Sequence, residues 1–192
     1  MTIQFILSLC AFALFVGMVL VRASMMRKRG IRAMVFGQTD KSDYLLVPVI
    51  LAIAYSALAN TFGLPMWSIL VRPFWAAAAP GWLGVVLCVT AVVCFAVTLK
   101  SFGDSFRVGI DENTPDKLVT GGVFAISRNP LYVCFLMFFT GLFLVHRNIV
   151  IAAAVVIFAL FIHRQILREE KFLLSHYGKE YEDYRAKVRR YV

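Results

Sequence analysis

Lys117-Leu-Val-Thr-Gly-Gly-Val-Phe-Ala-Ile-Ser-Arg-Asn-Pro-Leu-Tyr132 stands between two blocks too apolar for a soluble domain, and its reading decides the fold. Its end has the chemistry of a helix start. Asn129 is a residue type that caps free N–H groups, and Pro130 suits the first helical position, where no N–H is needed. A helix is therefore expected from Pro130. Its N-terminus would offer backbone donors and positive dipole, and Gly121-Gly122 just before it would let the backbone approach a ligand closely. The stretch reads as an anion-friendly niche at a membrane surface.

Downstream of the niche, Leu131–Val145 and Ile149–Ile162 are apolar runs separated only by His146, Arg147 and Asn148, a pattern for a tight helical hairpin. Each run covers only about 20 Å, so spanning requires continuation, which the second run has through Ser175 without Gly or Pro. Gly178 reads as a stop. A short helix over Lys179–Val188 would then place Tyr181, Tyr184 and Val188 on one face. Upstream, Ile3–Val21, Tyr44–Leu64 and Gly81–Leu99 are each long enough to cross a hydrocarbon core of ~30 Å. Pro65–Pro80, rich in Pro, Ala and Trp, suits an outer interfacial segment.

Composition agrees: 60% of the 192 residues are hydrophobic and 16% charged, with a mean hydropathy of +0.77. The expected fold is all-α, a polytopic integral membrane protein of about five transmembrane helices with a cytoplasmic helical tail. It forms one membrane domain over 1–192, with three helices in 1–99 and the loop, hairpin and tail in 100–192. Eighteen of the twenty Lys and Arg residues fall on one side of such a topology, and so do all eleven acidic residues. By this asymmetry the N-terminus is expected outside and the tail in the cytoplasm; the expected location is a bacterial-type inner membrane. The charge of +9 is thus spent on orientation, not on a nucleic-acid surface. Cys10, Cys88, Cys94 and Cys134 lie within apolar segments and form no ligand spacing; no metal site is expected.

Chemistry is expected on the cytoplasmic side. Glu169 and Glu170 directly follow an apolar helix, where adjacent carboxylates are costly unless paired or bound to a cation. Arg128 and Arg168 are candidate partners, with Arg164 on the same tail. His163 stands alone. There is no dinucleotide-binding glycine motif, phosphate-binding loop or nucleophile elbow.

Leu118-Val119-Thr120, Gly122-Val123-Phe124, Arg128-Asn129-Pro130-Leu131-Tyr132, Glu169-Glu170 and Tyr177-Gly178-Lys179-Glu180-Tyr181 with Tyr184, taken in order, resemble the C-terminal region of the isoprenylcysteine carboxyl methyltransferases. These are related to the phospholipid N-methyltransferases. The resemblance covers about the last ninety residues, with a weaker echo at Phe102–Phe106. It implies a membrane enzyme using S-adenosylmethionine, with Lys117, Leu118, Val119, Gly122, Phe124, Asn129, Pro130, Leu131, Tyr132, Glu169 and Glu170 around the cofactor. Arg128, Gln165 and Arg168 would stand at the reacting end. The cofactor's ammonium calls for an acceptor such as Glu169, its carboxylate for backbone donors near Gly122 or the helix start, and its adenine for an aromatic wall.

Two departures matter. Asn129 stands where the family more often has His. Gln165 stands one turn before Glu169, where the carboxyl methyltransferases have an Arg that can hold an acceptor carboxylate. An amide supplies no charge, so a lipid-like or small apolar acceptor with a less acidic nucleophile is expected, with Arg168 a partial substitute. Two other readings stand beside this one. A sterol-reductase-type enzyme has a similar Arg-x-Pro-x-x-Tyr and Glu-Glu pattern but binds NADPH, and a small non-enzymatic membrane protein would place polar residues mid-span.

Overall fold

The computed structural model describes residues 2–29, 44–102 and 118–192. Lys117, Gly103–Phe106 and most of the first basic loop lie outside the described residues. All regular structure among the described residues is helical: α1 Ile3–Lys28, α2 Leu46–Phe62, α3 Ser68–Val71, α4 Ala79–Phe102, a 3-10 turn at Gly122–Ala125, α5 Pro130–His146, α6 Ile149–Tyr177 and α7 Lys179–Lys187. Three of these, α1, α4 and α6, are long and apolar enough to cross a membrane. The apolar helices α2 and α5 have 17 residues each, about 25 Å and so short of a full core.

The buried positions explain the packing. Lipid is as apolar as leucine, so helices associate in it through close contact and polar links, which favours small residues. On α4 the buried face runs through Gly81, Gly84, Cys88, Ala91, Phe95 and Thr98, a three-four spacing that keeps one side inward. Its opposite face, with Val86, Val89, Val93 and Val97, is exposed, as a lipid-facing surface must be. Phe15 of α1 fills the junction, its ring centroid 4.4 Å from that of Phe95 and 4.5 Å from that of Phe138. On α6 the buried stripe Ile151, Ala154, Phe158, Ile162, Ile166 ends in a carboxylate, Glu170.

One end of the bundle is tied by polar groups. Asn148 caps α6, its Oδ1 accepting from the Ile151 N–H at 3.0 Å, and it exchanges hydrogen bonds with Ser56 of α2 at 3.0 and 3.2 Å. His146 meets Ser8 of α1 at 3.1 Å, and its carbonyl accepts from Asn60. Arg147, with a φ of 47°, makes the hairpin turn and donates to the carbonyls of Trp75, Ala76 and Ala77. Each link satisfies a group that lipid cannot.

Helix starts and stops follow the sequence closely. α5 begins at Pro130. α6 continues to Tyr177 and stops at Gly178, whose φ is 52°. α7 buries Tyr181 and Tyr184, but Val188 is extended and falls past the helix, not on its face. The expected capping by Asn129 is a correction: its side chain does not cap α5 but reaches away, Nδ2 donating to the carbonyl of Arg190 at 3.0 Å. A tertiary acceptor has outcompeted the local one.

Candidate functional site

At the opposite end of the bundle from Asn148, residues 118–129 lead into the start of α5, with the turn at Gly122–Ala125 packed beside α4. Gly122 carries a φ of +64°, a conformation that side chains rarely adopt, and a Cβ there would lie 2.9 Å from Ser101 Oγ on α4. Phe124 is buried, its ring edge-on to Phe102 with centroids 4.7 Å apart, and its carbonyl accepts from the Tyr184 hydroxyl of α7 at 2.7 Å. Leu118 and Val119 are half-buried. Pro130, Leu131 and Tyr132 are buried in the first turn of α5.

Glu170 is the electrostatic centre. It is 8% exposed and takes Arg128 Nη2 at 2.9 Å on Oε1, while Arg190 donates from Nε to both oxygens at 3.1 Å and from Nη2 to Oε2 at 2.8 Å. Two guanidiniums face one carboxylate, so the cluster carries a surplus positive charge. The Arg128 side chain is only 7% exposed, yet its Nε and Nη1 have no hydrogen-bond partner among the described residues. Buried donors without acceptors cost about 1–3 kcal/mol each, more when charged, and a surplus cation with open N–H groups suits an anionic ligand.

Glu169 faces a different set. Tyr132 donates its hydroxyl to Oε1, and Gln165 Nε2 donates to the same oxygen at 2.9 Å. Gln165 Oε1 in turn accepts from Arg168. Thus Gln165 relays between a cation and a carboxylate on one face of α6. The first turn of α5 and the Glu169 carboxylate are joined through Tyr132.

The C-terminal segment closes the cluster. The Arg128 N–H donates to the carbonyl of Arg189 at 3.0 Å, Asn129 to that of Arg190, and the Tyr191 hydroxyl lies 2.6 Å from His163 Nδ1. Tyr181 is 1% exposed and its hydroxyl has no partner among the described residues. Burial pushes it up to about 12, helped by the Glu170 charge and opposed by that of Arg128.

The candidates from the sequence therefore fall into two neighbouring groups. One is Arg128 with Glu170, the other Tyr132 with Gln165, Arg168 and Glu169, with the turn carrying Gly122 and Phe124 beside α4. Glu170 is engaged by cations of its own chain. Arg190 was missed: an isolated basic residue in a polar tail reads as a solvated charge, and only its place in space shows otherwise. Tyr181 reads from the sequence as part of the buried face of the last helix, not as a neighbour of Glu170 and Arg128.

Comparison with known proteins meets this geometry. The family model for phospholipid methyltransferases matches residues 79–180, from α4 into α7 and including both carboxylates. The match covers more than half of the sequence, and the chain belongs to that family. It is similar to a protein-S-isoprenylcysteine O-methyltransferase of Schizosaccharomyces pombe, 36% identical over 92 residues, 45% of this chain and 38% of the relative. It also resembles protein-S-isoprenylcysteine O-methyltransferase B of Arabidopsis thaliana, 34% identical over 108 residues, 55% and 52% of the two chains. A nickel-cobalt-cadmium resistance protein of Alcaligenes xylosoxydans is 28% identical over 104 residues, 54% and 48%. The chain spans about half the length of the curated relatives it matches. The resemblance drawn from the motifs thus holds at the level of the family.

Proposed function

We propose that this member of the phospholipid methyltransferase family is a membrane-embedded, S-adenosylmethionine-dependent methyltransferase acting on a lipid-like or small apolar acceptor, with its site at the cytoplasmic end of the bundle. The observation that carries the reading is Arg128, buried with Nε and Nη1 open, beside a helix start and near a second carboxylate, Glu169, that is oriented by its own chain. S-adenosylmethionine presents a carboxylate, an ammonium and an apolar ring, and the donor set fits it. Arg128 and the first turn of α5 suit the carboxylate, Glu169 suits the ammonium, and Leu118, Val119 and the turn at Gly122 and Phe124 supply apolar surface.

When bound, the cofactor supplies an electrophilic methyl group. The protein's part is to hold donor and acceptor in line, and positioning can supply much of a displacement's acceleration. Tyr132 and Gln165 fix the Glu169 carboxylate in direction. Arg168 fixes Gln165. Exposed apolar faces, such as that of α4 with Val89 and Val93, give a lipid-like acceptor a way in along the bilayer. The names of the relatives differ in what they describe, so the acceptor is read from the site: Gln165 brings no positive charge, which favours an amine, thiol or hydroxyl over a carboxylate.

The test is calorimetric titration of the purified, detergent-solubilised protein with S-adenosylmethionine and with NADPH, followed by mass spectrometry of lipids and small thiols after incubation with methyl-labelled cofactor. Binding of S-adenosylmethionine with label transfer is expected. Tighter binding of NADPH would overturn the assignment in favour of a reductase.

A further inference from the structure

Two arginines compete for one carboxylate. Arg190 takes both oxygens of Glu170 with three hydrogen bonds, and Arg128 reaches only Oε1, through Nη2. A carboxylate has about four lone-pair positions, so Glu170 is nearly saturated by Arg190. Without that claim, nothing opposes a two-pronged closure of Arg128 on Glu170, the preferred geometry of a guanidinium and a carboxylate. Such closure would add Nε or Nη1 to the Nη2 contact and so consume one of the two donor atoms that now stand open.

Resting on the function proposed above, we infer that Arg190 is a positioning residue: by saturating Glu170 it keeps the Nε and Nη1 donors of Arg128 available to an anionic group of the ligand. The C-terminal segment holds Arg190 in place without using its side chain, since the Arg128 N–H binds the Arg189 carbonyl, Asn129 binds the Arg190 carbonyl and Tyr191 meets His163. Changing the Arg190 side chain therefore leaves those anchors intact. The arrangement is a latch in which the segment carrying Arg190 sets which donors stay open in a niche about sixty residues earlier.

The test is a double-mutant cycle on the full chain in detergent, read by calorimetric Kd for S-adenosylmethionine and by melting temperature without ligand. Arg190→Gln is expected to weaken binding about tenfold or more, as Arg128 is captured by Glu170. Adding Glu170→Gln to Arg190→Gln removes the captor and should restore most of the lost affinity, although it deletes a second ion-pair partner. Arg190→Lys, which keeps charge with fewer donors, should fall between. A double variant that binds as weakly as Arg190→Gln, or more weakly, would show a merely structural ion pair and overturn the inference. The unsubstituted protein separates the two readings: if it binds no S-adenosylmethionine, the proposed function fails. The latch is then judged by inorganic phosphate alone, which should raise the melting temperature of the unsubstituted protein and not of Arg190→Gln; equal shifts would sink it.

Discussion

Gly84 of α4 and Gly141 of α5 pass so closely that a Cβ built on Gly141 would lie 2.7 Å from the Gly84 carbonyl oxygen and 2.7 Å from Cys88 Sγ. The reverse substitution is no easier, since a Cβ on Gly84 would lie 2.5 Å from the Gly141 carbonyl oxygen. Backbone cannot yield as a flexible side chain does. Gly141→Ala and Gly84→Ala are therefore each expected to destabilise the protein by about 1–3 kcal/mol through overpacking, and to shift α5, which carries Tyr132 in its first turn and follows closely on Arg128. The check is the melting temperature in detergent of each variant; an unchanged value would mean that the two helices separate without cost.

Glu169→Gln keeps the shape of a side chain that accepts from Tyr132 and Gln165 but removes its charge. If that charge faces the cofactor ammonium, the loss is about 1.5–3 kcal/mol of binding, a ten- to hundredfold weaker Kd for S-adenosylmethionine. Titration of the folded variant measures it directly. A Kd equal to that of the unsubstituted protein would assign Glu169 to the helix surface alone.

The elements that local chemistry controls were readable in advance. Proline at the first helical position placed the start of α5, glycine placed the end of α6, and the three-residue spacing of Tyr181 and Tyr184 gave the buried face of α7. What could not be read was long-range pairing. Asn129 has the composition of a cap, but the carbonyl that it binds is 61 residues away, and nothing in the local pattern announces it. Glu170 was legible as a costly carboxylate, not as the one claimed by Arg190. The polar ties of the other end, Ser8 with His146 and Ser56 with Asn148, were hidden for the same reason, since single polar residues in apolar runs show no periodicity.

Tyr181 gives a prediction on stability and pH. Its hydroxyl is buried with no partner among the described residues, a cost of about 1–3 kcal/mol, so Tyr181→Phe should leave stability near pH 7 unchanged or higher. Burial raises the folded-state value from 10.0 to about 12. The unfolded chain therefore loses this proton first, and the stabilising contribution is complete below pH 10 and lost as the pH rises from 10 to 12. Tyr184, also pushed to about 12 by burial, contributes to the same decline. Melting curves across that window should fall less steeply for Tyr181→Phe than for the unsubstituted protein, and parallel curves would contradict the assignment.

The choice of acceptor rests on Gln165, both ends of whose amide are engaged: Nε2 donates to Glu169 and Oε1 accepts from Arg168. An amide can bridge a cation and a carboxylate in this way only because it is both donor and acceptor. Arginine at the same position would be donor only; it would repel Arg168, pair with Glu169 and bring a charge able to hold an acceptor carboxylate. Gln165→Arg should therefore weaken S-adenosylmethionine binding, through its claim on Glu169, while raising carboxyl methylation of a prenylated cysteine analogue relative to transfer to apolar amines and thiols. The unsubstituted protein should show the reverse preference. The measurement is the ratio of kcat/KM for the two acceptor classes in both proteins, with the cofactor saturating so that its weaker binding does not enter. A ratio that already favours the carboxylate in the unsubstituted protein and does not move in Gln165→Arg would show that Gln165 orients Glu169 without selecting the acceptor.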